Sequence, residues 1–186
     1  HHHIMSLVAA IFGAGPGNGA AFAARFIKEG YSVAVLSRSA DAMAKLAESL
    51  GDNARGYACD VSSDEAVKSA LESIEKDLGP VSTVIYNAGA CGFKPLDQWT
   101  ASEITSCTDI NAAGLFRVAT ATKPQLLKHE TSNIVVVGAG AATRGRPMTV
   151  GFAAGKAAQR SVAQSLARGW GPEKIHVSYL IIDGMI

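Results

Sequence analysis

The residues with the clearest chemical potential in this sequence form a glycine-rich loop near the N-terminus. The loop lies between a short apolar run and an amphipathic segment and reads Gly13-Ala14-Gly15-Pro16-Gly17-Asn18-Gly19. Backbone N–H groups approach a phosphate closely only where side chains do not obstruct them, and a following helix N-terminus adds positive potential. In a strand–loop–helix context we predict that the loop binds a dinucleotide pyrophosphate; the alternative is a flexible turn without a ligand. The predicted contacts are Gly13, Gly15, Gly17, Asn18 and Gly19.

The end of the second apolar run indicates which dinucleotide would bind. An NAD site usually ends that strand with a carboxylate that accepts a hydrogen bond from the ribose 2′-hydroxyl. Here the segment is Leu36-Ser37-Arg38-Ser39, which contains no acid. Arg38 can pair with a 2′-phosphate and Ser37 can donate to it, so we predict NADP(H) in preference to NAD(H). The alternative is that Arg38 is a solvated loop cation.

Six short apolar runs alternate with segments of helical period, and together they must position this loop. The runs are continuous, which is typical of parallel strands buried on both faces. The predicted strands are residues 7–12, 32–37, 55–59, 81–86, 133–137 and 176–182. Their alternation with helices predicts an α/β, Rossmann-type doubly wound parallel sheet with strand order 3-2-1-4-5-6.

Two Ser/Thr-x-x-Glu patterns mark predicted helix starts. They are Ser62 with Glu65 and Thr100 with Glu103. In a capping box of this kind the hydroxyl and the carboxylate satisfy the first N–H groups of the helix reciprocally. The second box is predicted to open a long helix that carries Asn111.

Several segments resemble, in the right order, the motifs of short-chain dehydrogenases/reductases. Gly13-x-x-x-Gly17-x-Gly19 resembles their TGxxxGxG loop, with Phe12 in place of Thr. Asp60-Val61 ends the third strand, where the family places an Asp against the adenine. Asn87-Ala88-Gly89 resembles the NNAG motif, with Tyr86 for its first Asn, and Asn111 lies at the position of the catalytic Asn. The resemblance covers residues 7–186 and implies an NAD(P)-dependent oxidoreductase whose further cofactor contacts are Asp60, Val61, Asn87, Ala88, Gly89 and Lys156.

The resemblance also implies the catalytic positions, and there the sequence departs from the family. The family uses a Tyr for proton transfer, a Lys four residues later, a Ser about thirteen residues upstream and the Asn. Lys156 and Asn111 are present, whereas Phe152 and Ala139 occupy the Tyr and Ser positions. The motif resembles an atypical subgroup with Phe in place of the Tyr. Because general acid–base catalysis supplies ~10²–10⁴-fold in rate, ordinary carbonyl chemistry should be weakened.

Two further segments bear on the substrate side. Arg144 and Arg146 lie between the fifth strand and the helix of Phe152, where they could polarise a carbonyl or bind a carboxylate, or be solvated loop charges. Asp183-Gly184 stands where the family has Pro-Gly, so Gly184 is predicted to contact the cofactor. The family's C-terminal lid and seventh strand are not represented, and the sequence therefore does not indicate which substrate is bound.

The composition limits the other function classes. A hydrophobic fraction of 48%, a charged fraction of 18% and a net charge of +1 are typical of a globular protein without a basic face for nucleic acid. No apolar run is long enough for a membrane span. The cysteines are odd in number and scattered, and no histidine has a partner at metal-ligand spacing. We therefore expect free thiols, no metal and a cytoplasmic location.

Two functions remain open at this point. One is an NADP(H)-dependent oxidoreductase with altered chemistry on a small carbonyl or alcohol; the other is a non-catalytic NADP(H)-binding sensor or structural protein. The resemblance also implies a homodimer or homotetramer. We expect residues 1–4 to be a tag remnant and residues 5–186 to form an NADP(H)-binding Rossmann domain that is C-terminally incomplete.

Overall fold

The computed structural model describes residues 7–89 and 92–183 and contains a six-stranded, wholly parallel sheet. The strand order β3-β2-β1-β4-β5-β6 confirms the predicted fold class and topology. The strands are β1 (Val8–Phe12), β2 (Ser32–Ser37), β3 (Ala54–Ala58), β4 (Thr83–Tyr86), β5 (Ser132–Ala139) and β6 (Ile175–Ile182). Because all strands run the same way, their carboxyl ends meet at one edge, where ligands bind in open sheets of this kind.

The described residues form six α-helices. They are α1 (Asn18–Lys28), α2 (Ala40–Leu50), α3 (Asp64–Leu78), α4 (Ala101–Thr108), α5 (Gly114–Leu126) and α6 (Val150–Trp170). Helix α4 packs against α6 rather than on the sheet. A π-helical segment, Asp109–Ala113, joins α4 directly to α5. Side chains of α1 and α2 pack on one face, and side chains of α3, α5 and α6 pack on the other. Successive residues of β1 point to opposite faces, which explains its uninterrupted apolar sequence.

The strand ends differ from the predicted ones by up to two residues. Only β2 agrees at both ends, and β5 extends through Gly138 and Ala139. The predicted fourth strand begins too early. Val81 and Ser82 are buried and hydrogen-bonded there, to Gln125 Oε1 and to Val8 O, but they precede the strand ladder. Hydrophobicity marks burial, and burial continues beyond the residues that pair.

One of the two predicted capping boxes is present. Thr100 and Glu103 cap α4 reciprocally, as predicted. The box at Ser62 is wrong: the N-cap of α3 is Ser63, whose side chain accepts from Ala66 N at 3.2 Å. Ser62 is engaged elsewhere, since its hydroxyl and its backbone N–H both donate to the Asp60 carboxylate. Among the described residues, no helix is both long and apolar enough to cross a bilayer.

A close approach between β3 and α2 gives a stability prediction. A Cβ on Gly56 would lie 2.4 Å from the backbone carbonyl of Met43, whereas a Cβ on Gly169, late in α6, would meet nothing within 4 Å. We expect Gly56→Ala to lower the free energy of unfolding by ~1–3 kcal/mol. Gly169→Ala, the matched control, should raise it by roughly 0.5–1 kcal/mol through helix propensity. Urea denaturation measures both, and shifts of the same sign would contradict this packing.

Candidate functional site

The glycine loop lies where the carboxyl ends of β1, β2 and β4 come together. Gly13 has a φ of +78°, and a Cβ there would lie 2.4 Å from the Ala88 backbone, so only glycine fits. The N–H groups of Gly13 and Ala14 both donate to Leu36 O at 2.9 Å. Asn87 Nδ2 donates to Gly13 O at 2.8 Å. These bonds fix the first turn of the loop to the two neighbouring strands.

The remainder of the loop is open toward the start of α1. A Cβ on either Gly15 or Gly17 would meet nothing within 4 Å, whereas one on Gly19 would lie 2.6 Å from Ala14 Cα. Gly17 is the N-cap of α1 and makes no side-chain capping bond, and the first turn of α1 contains no acid. An open cradle at an uncapped, acid-free helix N-terminus fits a pyrophosphate group.

The predicted adenine-side residues lie at the same edge of the sheet. Asp60 accepts from Ser62 N at 2.9 Å and from Ser62 Oγ at 2.7 Å. These hydrogen bonds, helped by the charges of Arg38 and Arg117, hold the pKa of Asp60 below its usual value. Arg38 is exposed. Ser37, next to it, accepts from Ser39 N at 3.4 Å and keeps its own hydroxyl proton for donation.

Arg117, on α5, is a residue of this region that the sequence analysis missed. Its Nη1 donates to Val61 O at 2.6 Å and its Nε donates to Asp64 Oδ1 at 3.0 Å. The side chain is largely buried and also lies 3.6 Å from Asp109. It therefore ties the turn after β3 to the helix that begins at the π-helical segment. The sequence signal, a single arginine among the apolar residues of α5, is weak.

Lys156 projects from α6 into the interior at the carboxyl end of the sheet. The residue is only 5% exposed. Its Nζ donates to Val137 O at 2.9 Å and to Gln159 Oε1 at 3.1 Å. Burial lowers the pKa of Lys156 to about 8, because a charged ammonium is poorly solvated there.

Asn111 is brought next to Lys156 by the π-helical segment. Asn111 is fully buried, and its Nδ2 donates to Cys107 O at 2.8 Å. A Cβ on Gly89 would lie 3.3 Å from Asn111 Oδ1 and 3.5 Å from Lys156 Nζ. One on Gly155 would lie 2.9 Å from Asn111 Nδ2. The structure thus brings the Asn87-Ala88-Gly89 segment, Asn111 and Lys156 together, as the motif spacing predicts.

Phe152 and Ala139 lie beside this cluster and contribute no hydroxyl. Phe152 is half-buried, with its ring centroid 5.8 Å from Lys156 Nζ and 6.5 Å from the centroid of Phe93. Ala139 ends β5 in an extended conformation. The hydroxyl of Thr143, further along the chain, donates to Gly140 O at 2.9 Å.

The two arginines at the rim differ in their surroundings. Arg144 Nη2 pairs with Asp183 Oδ2 at 2.6 Å, with both side chains about half exposed. The Asp183 carboxylate packs where Gly140 has no side chain, since a Cβ there would lie 2.5 Å from it. Arg146 is exposed on the turn before α6. The predicted cofactor contact Gly184 lies outside the described residues.

A cavity of about 290 Å³ lies on the α4 side of Phe93. Its walls include Trp99, Glu103 and Ile110. Lys94 Nζ donates to Glu103 Oε1, and this bond lowers the pKa of Glu103 to about 2. The cavity is therefore mainly apolar, with one ion pair at its wall.

The cysteines only partly follow the sequence prediction. Cys59 is a free, buried thiol whose pKa is raised to about 11 by burial. Cys107 is disulfide-bonded, so the expectation of free thiols is wrong for that residue. The spacing of three scattered cysteines does not by itself show which of them is oxidised. Within residues 7–89 and 92–183, no group of His, Cys, Asp or Glu could hold a metal ion.

The profile of the short chain dehydrogenase family matches residues 7–185. The chain belongs to this family. The chain is 28% identical to D-threitol dehydrogenase from Mycolicibacterium smegmatis over 174 residues. The aligned region covers 92% of this chain and 67% of that protein. It is 30% identical over 183 residues to carbonyl reductase family member 4 from Danio rerio, which covers 98% of this chain and 76% of that protein.

Solved structures of short-chain dehydrogenases have the same fold. A short-chain dehydrogenase from Rhodopseudomonas palustris matches with a TM-score of 0.87 at 29% identity, covering 96% of this chain and 85% of that one. A variant of an actinorhodin polyketide ketoreductase, solved with NADPH, matches with a TM-score of 0.87 at 25% identity. The match covers 94% of this chain and 69% of that one. The short-chain dehydrogenase fold is thus matched over nearly the whole chain, and the family is one of NAD(P)-binding oxidoreductases.

The buried ammonium of this short-chain dehydrogenase gives a pH prediction. The pKa of Lys156 falls from 10.5 to about 8 on folding, so above pH 8 the unfolded chain binds more protons than the folded one. Stability contributed by this group therefore rises with pH. Relative to Lys156→Met, the wild-type free energy of unfolding should increase by about 2 kcal/mol between pH 7 and 9.5. Urea denaturation across this range measures it, and parallel profiles would show that Lys156 is not desolvated.

Proposed function

We propose that this protein is an NADP(H)-dependent oxidoreductase of the short-chain type, acting on a small carbonyl or alcohol with weakened chemistry. The proposal rests on one observation. The residues expected to bind the cofactor are present, whereas two of the residues expected for catalysis are replaced. The cradle at Gly15 and Gly17 is open, and Lys156 and Asn111 converge at Gly89. Next to them, Phe152 presents an aromatic ring where the family's Tyr is expected.

Each part of the cofactor side has a role that its chemistry supports. Backbone N–H groups at the start of α1 bind the pyrophosphate, and the Asp60 turn lies against the adenine. Lys156 donates to the ribose, while Asn111 fixes the shape of the helix beside it. The bound cofactor supplies or accepts hydride, and this chain's residues bind, orient and exclude water.

Preference for NADP(H) over NAD(H) rests on the end of β2. Arg38 is exposed and directly follows the carboxyl end of β2, where the 2′-position of the adenosine ribose is expected. A guanidinium there pairs with a 2′-phosphate, which NAD(H) lacks.

The Arg38 assignment is tested by fluorescence titration of both cofactors. We expect wild type to bind NADPH more tightly than NADH. Arg38→Ser should weaken NADPH binding roughly tenfold and leave NADH binding unchanged, because only the phosphate contact is lost. Lys45→Ser, an exposed cation on α2, is the control for net charge. Equal or tighter binding of NADH by wild type would refute the preference.

The weakened chemistry follows from the hydroxyls that Phe152 and Ala139 lack. In this part of the site Thr143 commits its hydroxyl proton to Gly140 O, and an arginine such as Arg146 is a poor proton donor. The second candidate function, a non-catalytic NADP(H) sensor or structural protein, is favoured by the same two residues. Lys156 is compatible with it, since ribose binding alone would need this residue.

NADPH consumption with a panel of aldehydes and ketones separates the two candidates. We expect slow wild-type turnover that rises ~10²–10⁴-fold in Ala139→Ser/Phe152→Tyr, because the double variant restores a proton donor and an orienting hydroxyl. Phe152→Leu is the control for ring removal and should not gain activity. Turnover found only in the double variant favours the sensor; substantial wild-type turnover excludes it.

The family resemblance also bears on the oligomeric state of the chain. We propose a homodimer or homotetramer and a cytoplasmic location. Small residues along α6 would permit close helix approach, but Gly151 and Gly155 are already used within the chain against Trp99, Cys107 and Asn111. Ala157 is a small residue that is exposed on the same helix and could face a partner.

A further inference from the structure

Gln159 is a buried polar residue on α6 that neither the motifs nor the family resemblance assigns. It lies three residues after Lys156, on the same buried stripe as Gly151, Gly155 and Ala163. The side chain is fully buried. Its Oε1 accepts a hydrogen bond from Lys156 Nζ at 3.1 Å. A buried polar side chain is unexpected among these small, apolar residues, so the role of Gln159 must account for it.

The orientation of the Gln159 amide follows from its partner. An ammonium group has only donors, so the amide must turn its oxygen toward Lys156. This leaves Nε2 in the interior, with no hydrogen-bond acceptor among the described residues. By contrast, both amide atoms of buried Gln125 are used, with Val81 N and Leu71 O as partners. A buried donor without an acceptor destabilises the fold, so Gln159 is explained by what its oxygen does.

The surroundings of Lys156 Nζ contain few other groups that could hold it. Val137 O is its second acceptor. Burial is the cause of the lowered pKa of Lys156. The hydroxyl of Tyr179, on β6, donates to the main-chain carbonyl of Lys156 at 3.2 Å. Tyr179 is neutral, since burial raises its pKa. Cys107 on α4, being disulfide-bonded, does not titrate.

The hydrogen-bond count of the ammonium shows what this arrangement achieves. Lysine has three N–H donors, and the acceptors Val137 O and Gln159 Oε1 use two of them. The third has no acceptor within residues 7–89 and 92–183 and can therefore be used by a ligand. Gly89 lies next to this ammonium and adds no side chain there, since a Cβ on Gly89 would lie 3.5 Å from Nζ.

We propose that Gln159 is the positioning residue of Lys156: its Oε1 and Val137 O hold the ammonium so that one donor faces the cofactor ribose. The inference rests on the proposed NADP(H) function for the identity of the ligand, but the coupling between the two side chains is independent of it. Gln159 also keeps Lys156 protonated, because an amide dipole directed at a buried ammonium offsets part of its desolvation.

The coupling is tested without any cofactor by NMR titration of ¹³C-labelled lysine, with the Lys156 signal assigned from Lys156→Met. Wild type should titrate near pH 8. Gln159→Leu should lower the pKa of Lys156 by about one, since one bond to the charged form is lost. Gln159→Glu should raise it above the wild-type value. Gln125→Leu is the matched control, which should lose stability and leave the pKa unchanged.

These variants also separate positioning from a structural role. Gln159→Leu removes an unpaired buried donor, so its urea midpoint at neutral pH should equal or exceed that of wild type. A lowered midpoint with an unchanged pKa of Lys156 would overturn the proposal. If Gln159→Leu fails to fold, Gln159→Glu still tests the proposal. A pKa of Lys156 in Gln159→Glu that equals or lies below the wild-type value would also overturn the proposal.

NADPH affinity as a function of pH connects the coupling to function. At pH 7.5 we expect Gln159→Leu to bind NADPH about threefold or more weakly than wild type, with the difference narrowing below pH 6, where both lysines are charged. A loss that is equal at every pH, or no loss, would overturn the role in cofactor binding. If wild type binds no NADPH at all, the proposed function fails, while the NMR titration still decides the positioning.

Discussion

The candidate site is organised around one buried ammonium group. Lys156 is held between the end of β5 and its own helix by two neutral acceptors, Val137 O and Gln159 Oε1. An ion in such surroundings is costly, and its lowered pKa shows that the fold only partly compensates for the lost solvation. The folded state retains this unfavourable desolvation of the ammonium. The surrounding elements place the charged group beside Gly89.

Backbone crowding at the strand ends makes that arrangement possible. Gly13 lets the end of β1 approach Ala88, Gly89 leaves room for Lys156 and Asn111, and Gly155 lets α6 approach the π-helical segment. Gly13 and Gly155 are each required by a neighbour within the chain, since a Cβ there would lie 2.4 Å and 2.9 Å from other atoms. Gly15 and Gly17 differ, because no protein atom fills the space beside them. This difference between packed and open glycines separates the structural part of the loop from the part proposed to face the cofactor.

The fold and half of the site follow from the sequence because they depend on local patterns. Continuous apolar runs identified all six strands, and the glycine spacing, Asn87, Asn111 and Lys156 indicated the cluster that the structure assembles. What the sequence did not indicate depends on contacts between distant elements. Gln159 accepts from Lys156, and Arg117 donates to Val61 O, because of where each lies on its helix. Cys107 was wrongly expected to be a free thiol. The Ser62 box failed because a second partner, Asp60, competed for the same hydroxyl.

The position of Phe152 explains how cofactor binding and catalysis can separate in such a site. The ring lies 5.8 Å from Lys156 Nζ, within the range in which an aromatic face attracts a cation. In place of a hydroxyl that could exchange a proton, the site then has a weak, neutral contact that favours the charged lysine. Both bonds that fix the ammonium come from Val137 and Gln159, so its placement does not depend on a hydroxyl at position 152. The lysine would therefore stay in place to bind a cofactor even without proton transfer, so the proposed cofactor function does not require fast chemistry.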